Sequence, residues 1–201
     1  MTALLLASQL AKRPVVTLDG EAVARVKDTV FDGPAGQVTG FTLNGLGVLA
    51  GPLKRALPWS AVYALGRHAV MVSGPEALTE PGVVVASGEA ARGAVLGVRV
   101  LTDAGAEVGT VLDVVVEGGT SGRVAGFRIA AAEAFDRDRR EVFVPRGETL
   151  AVSGEALVIP VGACHFVADD LPSFTAQVGA FRARREPAAG GRPEGKEAEP
   201  W

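Results

Sequence analysis

One stretch of this chain occurs twice. The residues Val23 to Phe31, then Gly36 to Phe41 (VARVKDTVF and GQVTGF), return as Val108 to Val116, then Gly122 to Phe127 (VGTVLDVVV and GRVAGF). Val111 and Asp113 follow Val26 and Asp28 by 85 positions. Gly122 and Phe127 follow Gly36 and Phe41 by 86, because Glu117–Gly122 is one residue longer than Asp32–Gly36. An insertion confined to a turn is what a duplicated fold tolerates. The period is too long for a solenoid repeat. Two copies of the stretch therefore imply two copies of one small fold.

The residue types say which kind of fold. The hydrophobic fraction of 48% comes mostly from Val, Ala and Leu, with 26 glycines and 12 prolines, a pattern of short strands and many turns. Strands are expected at Arg13–Leu18, Glu21–Phe31, Gln37–Leu43, Val62–Leu65 and Ala69–Val72. Val98–Thr102, Val108–Val116, Val124–Phe127 and Ala156–Ile159 answer the first, second, third and last of these, and Val144-Pro145 answers Leu57-Pro58. Asp19-Gly20 suits a tight hairpin turn, and Gly105 answers Gly20. Five or six short strands per copy are enough for a small closed barrel, which removes exposed sheet edges. The copies differ most between their third and fourth strands, where Asn44–Arg55 is glycine-rich and apolar and Ala130–Arg140 is charged.

The order of Pro14–Gly20, Val26–Phe31, Gly36–Phe41 and Leu57-Pro-Trp-Ser60 resembles the PRC-barrel family, which includes the barrel of the photosynthetic reaction-centre H subunit and the C-terminal domain of the ribosome maturation factor RimM. Gly109–Asp113 and Glu141–Pro145 look like the same domain again, so the resemblance spans about residues 4–167. It implies an all-β chain of two compact, highly bent PRC-type β-barrels in tandem, each an assembly or interaction module rather than an enzyme.

The expected organisation is a first barrel over residues 1–74, a linker over 75–82 and a second barrel over 83–168. A short amphipathic helix follows over 169–185, then a disordered tail over 186–201. Leu171, Phe174, Val178 and Phe181 recur at helical spacing, with acids before them and Arg182, Arg184 and Arg185 after, matching the helix dipole. The tail is Pro, Gly, Ala and charge, a composition that buries too little surface to order itself. Lys and Arg against Asp and Glu number 7 to 6 in residues 1–82, 8 to 13 in 83–170 and 5 to 4 in 171–201. The net charge of −3 argues against direct nucleic-acid binding. A single cysteine, Cys164, excludes an intrachain disulfide and fits a reducing compartment. Thr2–Leu10 lacks a leading positive charge and no apolar run is long enough to span a membrane, so a cytoplasmic location is expected.

Asp28 and Asp113 are the polar residues of most interest. Strand alternation puts each in phase with its flanking valines, and an inward carboxylate needs hydrogen-bond partners. Two readings follow: an Asp bonding backbone amides at a bend or bulge, or an acid that handles a proton or a ligand. Trp59, Phe41 and Phe127 are candidate packing or interaction positions, and Trp201 a candidate anchor for a partner. His68, His165, Ser60, Ser87, Asp136 and Asp138 have no partner at catalytic or metal-ligand spacing, so neither catalytic residues, metal nor cofactor is expected. The leading functional expectation is a non-catalytic scaffold or protein-interaction module supporting a larger complex, with an unidentified protein partner expected and homo-oligomerisation left open. The alternatives are a ribosome-maturation or RNA-processing accessory resembling RimM, and a small-ligand or proton-handling barrel using Asp28 and Asp113.

Overall fold

The structure is a computed structural model and describes residues 3–33, 35–47, 50–85, 89–90, 95–136, 138, 140–147, 151–152 and 155–185. The first copy contains β1 (Leu4–Leu6), α1 (Ala7–Leu10), β2 (Pro14–Thr17), β3 (Ala22–Asp32), β4 (Gln37–Asn44), β5 (Pro52–Pro58), β6 (Val62–Leu65), β7 (Val70–Val72) and α2 (Pro81–Val85). The second contains β8 (Glu89–Ala90), β9 (Arg99–Thr102), β10 (Glu107–Glu117), β11 (Val124–Ala131), β12 (Glu141–Pro145), β13 (Ala151–Val152), β14 (Ala156–Ile159) and α3 (Leu171–Arg185).

Each copy forms one bent sheet, in the order β5-β4-β3-β2-β7-β6 and β12-β11-β10-β9-β14-β13. Neighbours are antiparallel except β2 with β7 and β9 with β14, which are parallel. The β2–β3 hairpin turns at Gly20, whose φ of 89° suits glycine. The buried Thr17 hydroxyl accepts the Glu21 N–H, and Thr102 does the same for Ala106. Among the described residues β5 and β6 do not pair. The chain itself joins them through a 3-10 turn at Trp59–Ala61, so the first barrel is a strongly bent sheet completed at a chain corner.

Two bulges in each long strand produce the bend. In β3 the pairing with β4 slips between Val26 and Asp28 and again between Val30 and Phe31. In β10 it slips against β11 at the equivalent places, between Val111 and Asp113 and between Val115 and Val116. Bulges kink a strand and sharpen its twist. The first half of β3 pairs with β2, and beyond the bulge the same side of the strand is open to another partner.

That partner comes from the other copy. β1 pairs with Val115–Glu117 of β10, while β8 pairs with Val30–Phe31 of β3. The first strand of each copy thus completes the sheet of the other, and the two barrels are linked by reciprocal strand exchange. The hydrophobic interior follows suit, running as one continuous cluster from Val15, Phe41 and Leu57 to Val100, Phe127 and Leu157.

A helix covers the outer face of each barrel. Val84 of α2 packs against Val30 and Ala56 and lies over Gly40, where a Cβ would meet it. Phe174 and Val178 of α3 pack against Val115, Ala125 and Phe143, and Phe174 lies over Gly126 in the same way. The segments leading in also correspond, since Thr79 bridges Ala56 as Ala168 bridges Phe143. The α2 helix is therefore the short counterpart of α3, and the duplication includes a helix that sequence comparison of the strands does not reveal. Asp170 caps α3, its carboxylate accepting the Ser173 N–H at 2.7 Å. These covered faces explain why alternation of burial stops midway along the long strands: Thr29–Phe31 and Asp113–Glu117 are buried on both sides. No helix among the described residues is long and apolar enough to cross a membrane.

Candidate interaction site

The two copies meet turn to turn. Val38 N–H donates to Gly122 O at 2.8 Å, and Val124 N–H donates to Gly36 O at 2.9 Å. Gly36 and Gly122 are equivalent, as are Val38 and Val124, so this bridge between Gln37 and Arg123 sits on a local two-fold relation. Both glycines turn at positive φ, 64° and 61°, and both are roofed by a side chain from the opposite copy. Trp59 lies over Gly122 and Arg146 lies over Gly36, each leaving no space for a Cβ. Trp59 and Arg146 follow the equivalent Pro58 and Pro145, so one position of the fold carries an indole in one copy and a guanidinium in the other.

The indole side is a packed contact. Trp59 is half-buried, with its ring 6.2 Å from that of the fully buried Phe41. Phe127, the counterpart of Phe41, is equally interior. The guanidinium side is open. Arg146 donates to Gly33 O at 3.4 Å and lines a cleft of about 390 Å³ with Arg123, Arg182, Val178 and Phe181. Arg182 is also paired with Glu117, a buried carboxylate that accepts the Ser121 hydroxyl. Sequence reading places Arg182 in a run of helix-end charges and does not connect it with Arg123 or Arg146. The available signal is that Gln37 and Trp59 occupy the corresponding places in the first copy.

Asp113 is the more enclosed of the two aspartates. It is 1% exposed and stands at the first bulge of β10. Its carboxylate accepts the Ser8 N–H at 3.1 Å, the Ser8 hydroxyl, and the Val114 N–H at 2.9 Å. Arg128, opposite on β11, approaches to 3.9 Å. Ser8 belongs to α1, where the chain leaves the exchanged strand and returns to its own barrel, so Asp113 holds the crossover. Asp28 occupies the equivalent bulge in β3, and its N–H donates to the Thr42 hydroxyl at 3.1 Å. Both aspartates border one cavity of about 120 Å³, together with Ser8, Lys27 and Leu96. Strand exchange is what brings these acids, 85 positions apart, to a common space.

The other polar candidates do not converge. His68 and His165 are exposed, and no group of three or more potential metal ligands occurs among the described residues. Cys164 is half-buried, and burial pushes its thiol up, with Asp103 adding to the effect. In the charged loop, Arg140 pairs with Asp136 and reaches Asp169. The Asn44–Arg55 stretch, expected as a loop, becomes strand from Pro52 onward. Ser87, Trp201 and the expected tail lie outside the described residues.

A third feature belongs to the first copy. On the outer face of β2, β7 and β6, Val16 lies beside Met71, and Met71 beside Ala64. Leu18 at the end of β2 is 53% exposed, and Tyr63 at the β6 bulge is 57% exposed. The second copy keeps Leu101 and Val158 at the Val16 and Met71 positions but replaces Leu18 with Asp103, which accepts the Val161 N–H at 2.8 Å.

A PRC-barrel domain model matches this chain twice, over residues 4–78 and 89–165. The chain belongs to the PRC-barrel family. It is a tandem PRC-barrel protein, and the two matched segments begin at the two strands that are exchanged. Family membership is consistent with a non-catalytic module. No curated protein matches the chain.

Proposed function

We propose that this tandem PRC-barrel protein is a non-catalytic protein-interaction module that supports assembly of a larger complex. The observation carrying this reading is the outer face of the first barrel, where Leu18, just after β2, and Tyr63, at the β6 bulge, are each more than half exposed. Scattered surface apolar residues are ordinary, but a contiguous apolar group on a sheet face suits a partner surface. The second barrel places the charged Asp103 at the position of Leu18, so the two copies offer different faces. A protein partner that covers the first barrel satisfies this asymmetry, and a cytoplasmic setting fits the single cysteine.

The reading that uses Asp28 and Asp113 as ligand or proton acids has less support. Asp113 already accepts three hydrogen bonds, two of them from backbone amides, which suits a structural carboxylate.

The test is affinity purification of the full chain from its own cells, comparing wild type with a Leu18→Ser, Tyr63→Ser double variant of unchanged melting temperature. A stoichiometric protein partner that follows the wild type and is lost from the variant is expected. Recovery of the wild type alone, or of the same partner in equal yield with the variant, overturns the reading.

A further inference from the structure

We infer that the cleft lined by Arg123, Arg146 and Arg182 is a binding site for an oxyanion, a phosphate or carboxylate group carried on a small organic body.

The three cations come from three separate places: Arg123 from the residue just before β11, Arg146 from the residue just after β12, and Arg182 from the last turn of α3. β11 pairs with β12 and α3 packs on Phe143 of β12, which holds these elements together, so the convergence depends on tertiary structure. Each arginine stands where the copies have diverged. The first barrel has Gln37 in place of Arg123 and Trp59 in place of Arg146, and α2 ends long before any counterpart of Arg182. The same fold therefore makes a packed aromatic contact at one end of the seam and a cationic cleft of about 390 Å³ at the other.

Charge and shape favour an anion. Among the described residues, no carboxylate lines the cleft. Of the described acids nearby, Glu117 pairs with Arg182 and accepts the Ser121 hydroxyl, and Asp32 accepts the Ala35 N–H at 2.9 Å. Guanidinium groups offer forked donors that match the oxygens of phosphate and carboxylate. Val178 and Phe181 supply an apolar wall for the organic part. Gly36 contributes by its missing side chain, since a Cβ there would occupy the space of the Arg146 guanidinium. This site is separate from the apolar face of β2, β7 and β6, and either can fail without the other.

Isothermal titration of the full chain with inorganic phosphate, phenyl phosphate and citrate tests the inference. The first two arms distinguish a bare phosphate from an ester, and citrate reports a polycarboxylate. Saturable one-to-one binding of at least one of the three is expected. It should weaken about tenfold in Arg146→Gln, the usual consequence of losing one charge-assisted contact. Arg99→Gln, an exposed change on β9, should leave binding unaltered. If Arg146→Gln lowers the melting temperature, the exposed Arg123→Gln, which restores the residue of the first barrel, takes its place with the same expectation. Absence of saturable binding by all three anions, or unchanged affinity in the folded arginine variant, overturns it.

Discussion

At the scale of single residues, the fold relies on a few positions where one atom more or less would matter. Asp113 is the clearest. Its carboxylate is almost completely buried and joins the exchanged segment at Ser8 to its own strand at Val114. Asp113→Ala leaves the buried Val114 N–H without an acceptor and removes both bonds from Ser8, and is expected to cost about 1–3 kcal/mol. Denaturant unfolding would measure it, and Asp113→Asn, which keeps one acceptor oxygen, should lose less. The charged loop makes a second residue-scale prediction. The Asp138 backbone N–H, and then Arg140, hold the Asp136 carboxyl below the usual carboxylate range. With its folded value lowered, ionised Asp136 adds stability above the unfolded carboxyl value. That contribution disappears as pH falls through the folded value. Carboxyl NMR titration should show the Asp136 midpoint rising in Arg140→Gln, though only part of the way, because the Asp138 amide remains.

At the scale of elements, the strands are laid down twice by one pattern, whereas the helices are not. The α3 helix buries Phe174, Val178 and Phe181 in a stripe at i, i+4 and i+7, and Phe174 is fully enclosed, 5.5 Å from the ring of Phe143. Phe174→Ala should cost about 3–5 kcal/mol, in line with other buried aromatic truncations. It should also loosen α3, and hence Arg182, which circular dichroism and thermal melts would register together. The α2 helix escapes sequence reading because five residues carry no periodicity. Its equivalence to α3 emerges only from Val84 and Phe174 lying over equivalent glycines. Much of the strand pattern, by contrast, is legible to within a residue or so. Val62–Leu65 and Ala156–Ile159 form as read, and the long strands differ by one residue at each end. Short β-rich runs between Gly and Pro leave little freedom in where a strand can start.

At the scale of the molecule, strand exchange turns two small barrels into one unit. Each sheet lacks its final strand unless the other copy supplies it, and the hydrophobic interior crosses the seam without a break. A single cooperative unfolding transition is therefore expected, with calorimetric and van't Hoff enthalpies in agreement. Two resolved transitions would show that the copies unfold independently. Fragments 1–86 and 87–201 should each lack a cooperative melt alone and regain one when refolded as a mixture. Thermal denaturation of the three samples decides it.

The sequence by itself determined the repeat, the β class and the family, because these depend on local periodicity, turn residues and near neighbours in the chain. It also marked Asp28 and Asp113 as unusual, since an acid in phase with valines is visible in one strand. What those acids face was decided only in three dimensions, where the N-terminal segment crosses to the second barrel and Ser8 meets Asp113. The arginine cleft has the same origin. Arg123, Arg146 and Arg182 are far apart in the chain and each has an ordinary local setting. They become neighbours because a turn, a strand end and a helix are brought together by long-range packing, which no local pattern records.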